Sequence, residues 1–360
     1  MLFSQGPKDE EEDLYDRKEE VRMVREAVKR KDRLVLVLGL RRLGKTSLVK
    51  VAIKEFFHTF VDVRRMYDES KYVRSANLIT RLLNGMPRKV TDRLADLLGR
   101  IEGISFHGGG IEFRPTKRGL RVEEVLEKID EWAEDANEQF VVAFDEAQYL
   151  RFSNYGYDRV IAWAYDNLRN ITFILTGSEV GMMERFLKLK DSRSFLYGRT
   201  RREIMLRRFN HEESLGYLKE GLNEVGVKYD VKEVEEAVEK LDGIVGWLNM
   251  YGYNRGMNIL THNEALRRTV LEAKDLVAAE FRELEPQDRY RAVMVAAAKT
   301  SKMRVACWND IRRYVIGMVG IIDDKTFQTI LNNLVSYGYL EKIDEGKYEI
   351  SDPIIFELFA

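Results

Sequence analysis

Eight consecutive positions, Gly39-Leu40-Arg41-Arg42-Leu43-Gly44-Lys45-Thr46, fit the pattern G-x-x-x-x-G-K-[ST], followed directly by Ser47. Glycines at these positions let a strand-to-helix turn curl until its backbone amides converge on phosphate oxygens. In that geometry Lys45 reaches the β- and γ-phosphates and the Thr46 hydroxyl ligates Mg²⁺. A glycine-rich turn alone would account for Gly39 and Gly44 and leave Lys45-Thr46 to accident. About 100 residues downstream, Phe140-Val141-Val142-Ala143-Phe144 is an apolar run ending in Asp145 and Glu146. Asp145 at a strand tip would hold the Mg²⁺ shell, and Glu146 would polarise an attacking water. A third apolar run, from Ile171, ends in Thr176-Gly177-Ser178. Those hydroxyls are candidates to hydrogen-bond a γ-phosphate or the lytic water; Ser178 suits equally well as the N-cap of a helix starting near Glu179. Gln148 and Tyr149 share the loop after Glu146, where packing is the expected role of Tyr149.

Such groups must be held at the carboxyl ends of strands, and the chain supplies the strands. Residues 34–38 (LVLVL), 139–144 and 171–175 are continuous apolar runs, as in strands buried on both faces, and a further strand is expected at about 59–65. Helix-like stretches separate them, which predicts an α/β domain with a five-stranded parallel sheet and helices on both faces. A surplus at about 68–118 reads as an insertion, with helices around 76–83 and 90–98. It also holds a hairpin in ISFHGGGIEF with a flexible tip at Gly108, Gly109 and Gly110. Strand signals stop after Arg207. Helices are expected at 210–224, 231–241 and 263–284, around a Gly-rich stretch, 243–256, with Trp247 and Tyr251. Helices at 288–299, 308–314 and 324–337, then two strands about Glu345-Gly346, have the layout of a winged helix. The expected division is a disordered acidic lead (1–13), a core (14–207), a helical lid (208–284) and the winged helix (285–360).

Composition narrows the function further. Lys+Arg 59 against Asp+Glu 60 leaves a net charge of -1, so no global field recruits nucleic acid or anionic membrane. Charged residues at 33% exceed the usual ~25% and, with the balance of sign, are what surface ion-pair networks of heat-adapted proteins look like. Cys307, alone, excludes an internal disulfide and reads as a buried structural thiol. His58, His107, His211 and His262 are scattered, which argues against zinc chemistry. With neither a signal peptide nor an apolar run near 18 residues, a cytoplasmic location is expected.

GLRRLGKTSL, FDEAQYL, LTGSEVG, the LYGR tetrapeptide at 196–199 and the C-terminal layout together resemble the archaeal ATPase family. That family is a branch of the STAND class of AAA+-like P-loop ATPases, and the resemblance runs from about Asp13 to the C-terminus. It implies an ATP/ADP-dependent conformational switch with slow hydrolysis. It also implies that Tyr15 and Arg17, in LYDRKE at 14–19, pack on the adenine, and that Arg199 lies near the nucleotide to neutralise γ-phosphate charge. A plain ion pair is the competing reading for Arg199, although Arg201, Arg202, Arg207 and Arg208 make 196–208 a basic stretch expected to face the nucleotide. Where relatives carry the proline of a lid Gly-x-Pro, this chain has Val245, which keeps apolar contact with the base and loses the rigid φ, weakening lid coupling. The alternative is a nucleotide-gated DNA-binding protein of origin-initiator or transposition-linked type. From Pro286 to Ala360, however, ten Lys/Arg oppose ten Asp/Glu, and the expected recognition helix opens with Asp323-Asp324, so a protein partner is favoured over DNA. A small-molecule kinase is disfavoured because Glu146 directly after Asp145 suits water activation.

Overall fold

A helix on one face of each strand and another on the opposite face is what the apolar runs require, and the chain meets that requirement in order. The computed structural model describes residues 1–99, 101, 104–107, 110–113, 121–284 and 287–360. Helix α1 (Lys18–Lys29) leads into β1 (Leu34–Leu38), α2 (Lys45–Ile53) and β2 (Phe57–Asp62). The insertion then holds α3 (Val63–Ser70), α4 (Ser75–Asn84), α5 (Arg88–Leu98), an antiparallel pair β3 (Ile104–His107) and β4 (Gly110–Phe113), and α6 (Val122–Asp135). The core resumes with β5 (Phe140–Asp145), α7 (Tyr157–Asn167), β6 (Ile171–Gly177), α8 (Val180–Leu187) and β7 (Arg202–Met205). The expected hairpin is thus present as β3 and β4, while its tip at Gly108 and Gly109 lies outside the described residues.

The five core strands lie in the order β2-β5-β6-β1-β7, every pairing parallel. Alternate residues feed two cores, as a two-residue period demands. Val35, Val37, Val141 and Ala143 pack with α1, α2 and the later helices, while Leu34, Leu36, Phe140, Val142 and Phe144 pack with the insertion, α6 and α7.

Beyond β7 come α9 (His211–Glu224), α10 (Val231–Leu241), α11 (Val245–Gly256) and α12 (His262–Phe281). Capping boxes at Asn210/Glu213, Asp230/Glu233 and Thr261/Glu264 fix three of their starts. The C-terminal unit comprises α13 (Gln287–Thr300), β8 (Val305–Cys307), α14 (Trp308–Val319), α15 (Asp324–Ser336), β9 (Leu340–Asp344), β10 (Lys347–Ile350) and α16 (Pro353–Phe359). Its three strands pair antiparallel in the order β8-β10-β9.

Two expectations are corrected, and a stretch for which no element was expected is assigned one. Residues 1–13 are not a disordered lead: Phe3 is fully buried, Leu2 nearly so, and Lys8 N–H donates to Ser47 Oγ at 3.0 Å. The acidic run dominates the composition there and hides the two apolar anchors. The Gly-rich stretch forms α11, because Trp247, Leu248 and Tyr251 on its buried side supply the packing that its propensity lacks. Cys307 is exposed, sitting at the N-cap of α14 rather than in a core.

Candidate nucleotide site

The phosphate loop joins β1 to α2 at the carboxyl edge of the sheet. Gly39 has φ +145, and a Cβ there would stand 2.6 Å from the Leu206 carbonyl oxygen, so only glycine fits between the loop and the end of β7. Gly44, at φ +88, caps α2 in a left-handed conformation that again favours glycine. Lys45 is buried, and its Nζ donates to the Gly39 and Leu40 carbonyls at 2.9 and 2.6 Å, so the loop is closed on its own lysine. Burial lowers the Lys45 pKa to about 8; Glu146 and Asp145 pull it upward, and Arg41 and Arg42 oppose them.

The expected metal pair meets. Thr46 Oγ1 donates to Asp145 Oδ2 at 2.9 Å, and Thr176 Oγ1 donates to Asp145 Oδ1 at 2.5 Å. Burial, then the neighbouring Glu146 charge, push the Asp145 pKa up to about 6 against those two hydrogen bonds. Glu146 follows at φ +52, a left-handed backbone that costs a residue with a Cβ of order 1 kcal/mol. Its amide donates to Thr176 Oγ1 at 3.0 Å. Its carboxylate Oε2 accepts from Ser178 Oγ (2.6 Å), Ser178 N–H (3.2 Å) and Gln148 Nε2 (2.6 Å). Burial works against the charge on Glu146, yet Lys45, Arg41 and these donors outweigh it and hold the pKa below the ordinary value. Ser178 therefore orients Glu146; the competing N-cap role falls to Glu179, at the start of α8. Tyr149 packs against Tyr67 and Phe152, as its packing role predicts.

Beside the loop is a cavity of about 360 Å³, within the usual range for small-ligand sites. Tyr15, Arg17, Leu43, Gly44, Ser47 and Val245 all line it. Arg17 is buried, donating to Glu20 Oε1 (3.1 Å) and the Arg207 carbonyl (2.7 Å), with its guanidinium 4.7 Å from the centre of the Phe209 ring. Tyr15 stands edge-on to Phe209 and Tyr217. Val245 occupies the first turn of α11, and the next residue, Gly246, donates its N–H to the Arg42 carbonyl at 2.9 Å. Helix α11 and the loop are thus joined through backbone, without a proline.

Arg199 is elsewhere. It forms a two-bond pair with Asp166 (3.0 and 2.5 Å) and lies near Tyr165, whose ring also faces Arg33, the residue before β1. That is the amino edge of the sheet, a full strand of about 17 Å from the phosphate loop, so within its own chain Arg199 cannot reach the nucleotide. The ion-pair reading holds instead. The rest of the basic stretch is neutralised too: Arg201 by Glu203, Arg202 by Asp32, Arg207 by Glu213 and Arg208 by Asp242.

Two carboxylates gave no sequence signal. Glu280, in the last turn of α12, lies 2.7 Å from Arg41, 3.0 Å from Arg42 and 3.5 Å from Arg64. Burial opposes its charge, but Arg41 and Arg42 hold its pKa down at about 2. Glu179 lies 2.7 Å from Arg41 and 3.7 Å from Arg151. Trp247 stacks on Arg42 at 4.3 Å and donates its Nε1–H to Asp352 Oδ2 at 2.8 Å, linking the loop to the C-terminal unit.

A parallel sheet with a phosphate loop after one strand and an Asp-Glu pair after another defines a P-loop ATPase of the AAA+-like kind. The chain belongs to the archaeal ATPase family: the profile described as an ATPase domain predominantly from Archaea matches residues 14–251. Among solved structures, a Walker-type ATPase of Pyrococcus abyssi is 33% identical over 100% of this chain and 99% of that one, with a TM-score of 0.83. The ORC2 protein of Aeropyrum pernix, solved as ADPNP-ADP complexes, superimposes with a TM-score of 0.64 over 99% and 95% of the two chains. At 14% identity it shares the fold alone. No curated protein matches the sequence. No helix among the described residues is long and apolar enough to cross a membrane.

Proposed function

We propose that the protein binds ATP with Mg²⁺ at the phosphate loop, hydrolyses it slowly to ADP and phosphate, and uses that cycle to switch the docking of its C-terminal unit. The observation that carries the reading is Glu280: one carboxylate at the end of α12 neutralises both arginines of the phosphate loop. Phosphate oxygens arriving at the loop compete for the same guanidiniums, so nucleotide binding and release of α12 are coupled. Lys45 exchanges the Gly39 and Leu40 carbonyls for phosphate oxygens in the same step.

Thr46 and Asp145 fit a hard cation, since two oxygen donors face each other at 2.9 Å and a positive ion would restore the charge that burial suppresses on Asp145. Among the described residues no group of three or more His, Cys, Asp or Glu could hold a metal alone, which suits an ion that shares the oxygens of the nucleotide. Such an ion supplies charge neutralisation at the phosphates. Glu146, aimed by Ser178 and Gln148 and kept anionic, accepts the proton of the attacking water. The C-terminal helices and strands read as a winged helix that transmits the change to a protein partner. Arg312, on the only clustered basic pair there, is already held by Asp324 at 2.6 Å, which disfavours DNA.

Glu280→Gln keeps the shape and removes the charge. Calorimetry should show ATP binding about tenfold tighter, and hydrogen exchange across residues 337–352 should rise without nucleotide. Unchanged affinity and exchange would remove the switch.

A further inference from the structure

We propose that residues 2–8 form a strap that closes the base pocket and sets how long a nucleotide stays bound, with the Phe3 ring as its anchor. The proposal rests on reading the 360 Å³ cavity as the base pocket. Gly6, Pro7 and Lys8 form one wall of that cavity, facing Tyr15, Arg17 and Val245.

The strap is tied on both sides of the pocket. On the helical side, Tyr217 Oη donates to the Leu2 carbonyl (3.3 Å), Asn249 Nδ2 donates to the Ser4 carbonyl (3.2 Å), and Leu2 N–H donates to Glu224 Oε2 (2.8 Å). On the core side, Lys8 N–H donates to Ser47 Oγ, in the first turn of α2. Lys8 Nζ folds back to donate to the Leu2 and Ser4 carbonyls (2.6 and 3.0 Å) and Ser4 Oγ (2.6 Å), making the strap a closed loop. A base seated between α2 and α11 therefore lies beneath a segment that must detach from one side before the base can leave.

Phe3 has a socket built for it. Its ring is fully buried and stands edge-on to Tyr217 at 5.6 Å. A Cβ on Gly221 of α9 would come within 2.3 Å of that ring, and one on Gly252 of α11 within 2.2 Å; at both positions the three nearest atoms belong to Phe3. Alanine is intrinsically better than glycine inside a helix, so these two glycines serve the ring and not the helices.

The test is release of N-methylanthraniloyl-ADP chased with unlabelled ADP, followed by stopped-flow fluorescence. Phe3→Ala, Gly252→Ala and a chain lacking residues 2–8 should each release at least tenfold faster than the native protein. Gly252→Ala should add nothing in the Phe3→Ala background, because both changes empty one socket. Simple loss of folded protein would lower the amplitude and leave the rate constant of the remaining signal unchanged. Release within twofold of native in Phe3→Ala and the truncated chain, or multiplying effects in the double variant, would overturn the strap. A native chain that binds no labelled ADP would overturn the base-pocket reading, and the strap with it.

Discussion

Lys45 is where burial and charge are most closely opposed. With its pKa lowered to about 8 in the closed loop, its ammonium is lost as pH rises through 8, and phosphate oxygens favour the charged form. Binding must then take up a proton above pH 8. Affinity should be flat below that pH and fall by up to tenfold per unit above it. Calorimetry at pH 8.5 in two buffers of different ionisation heat should report uptake of most of a proton; no uptake would contradict the buried lysine. Lys45→Ala should abolish binding. Glu146→Gln should keep it while hydrolysis, followed by phosphate release, falls by about 10²–10⁴-fold, and undiminished turnover would remove Glu146 from the mechanism. That these groups meet was legible because each candidate cluster is written in adjacent residues: Gly44-Lys45-Thr46 and Asp145-Glu146. Glu280 was not, because its partners Arg41 and Arg42 lie some 240 residues away and an acid near a helix end has no local mark. Arg199 shows the converse: a motif named the residue, while only the strand register shows on which edge of the sheet it sits.

At the scale of the element, the replacement of the expected proline by Val245 turns on helix geometry. Val245 is the first residue of α11, where an amide hydrogen has no partner within the helix, and Ile244 before it is extended at φ -79 and ψ 101. Proline is therefore compatible with the backbone here. Val245→Pro should leave the fold intact and raise stability by about 0.4–1 kcal/mol, through a less free unfolded chain. Scanning calorimetry should show an upward shift in Tm, and a loss above 1 kcal/mol would refute the compatibility. The strands of the core could be read because LVLVL, FVVAF and ITFIL are buried on both faces and admit no polar alternation. α11 could not, because Gly246, Gly252 and Gly256 depress its propensity and the reason for Gly252 is a ring from residue 3. α16 is seven residues long and stands on its Asp352 cap and packing of Ile354, Ile355 and Phe359, a signal too short for periodicity.

Across the whole molecule, the near-equality of acids and bases is organised rather than diffuse. The five arginines from 199 to 208 each meet a carboxylate, and Arg41, Arg42 and Arg64 converge on Glu280. The C-terminal unit is held to the loop edge by Trp247 on Asp352 and by Arg208, which reaches the Ser351 carbonyl. Its basic and acidic residues balance, ten against ten from 286 to 360. Arg312 is tied to Asp324, and Asp323 is used as the cap of α15, accepting from Thr326 N–H at 2.9 Å. Tyr314, Met318, Val319 and Ile321 along and just past α14 are exposed apolar side chains. Duplex DNA affinity is built from phosphate neutralisation and falls steeply with salt when several cations take part. With Arg312 paired and ten Lys/Arg balanced by ten Asp/Glu from 286 to 360, binding at ~0.15 M salt should be no tighter than about 1–100 μM, the non-specific range, with or without ATP. Fluorescence anisotropy over a salt series would measure it. A nanomolar complex that appears only with ATP and loses several decades of affinity with salt would make the C-terminal unit a DNA reader.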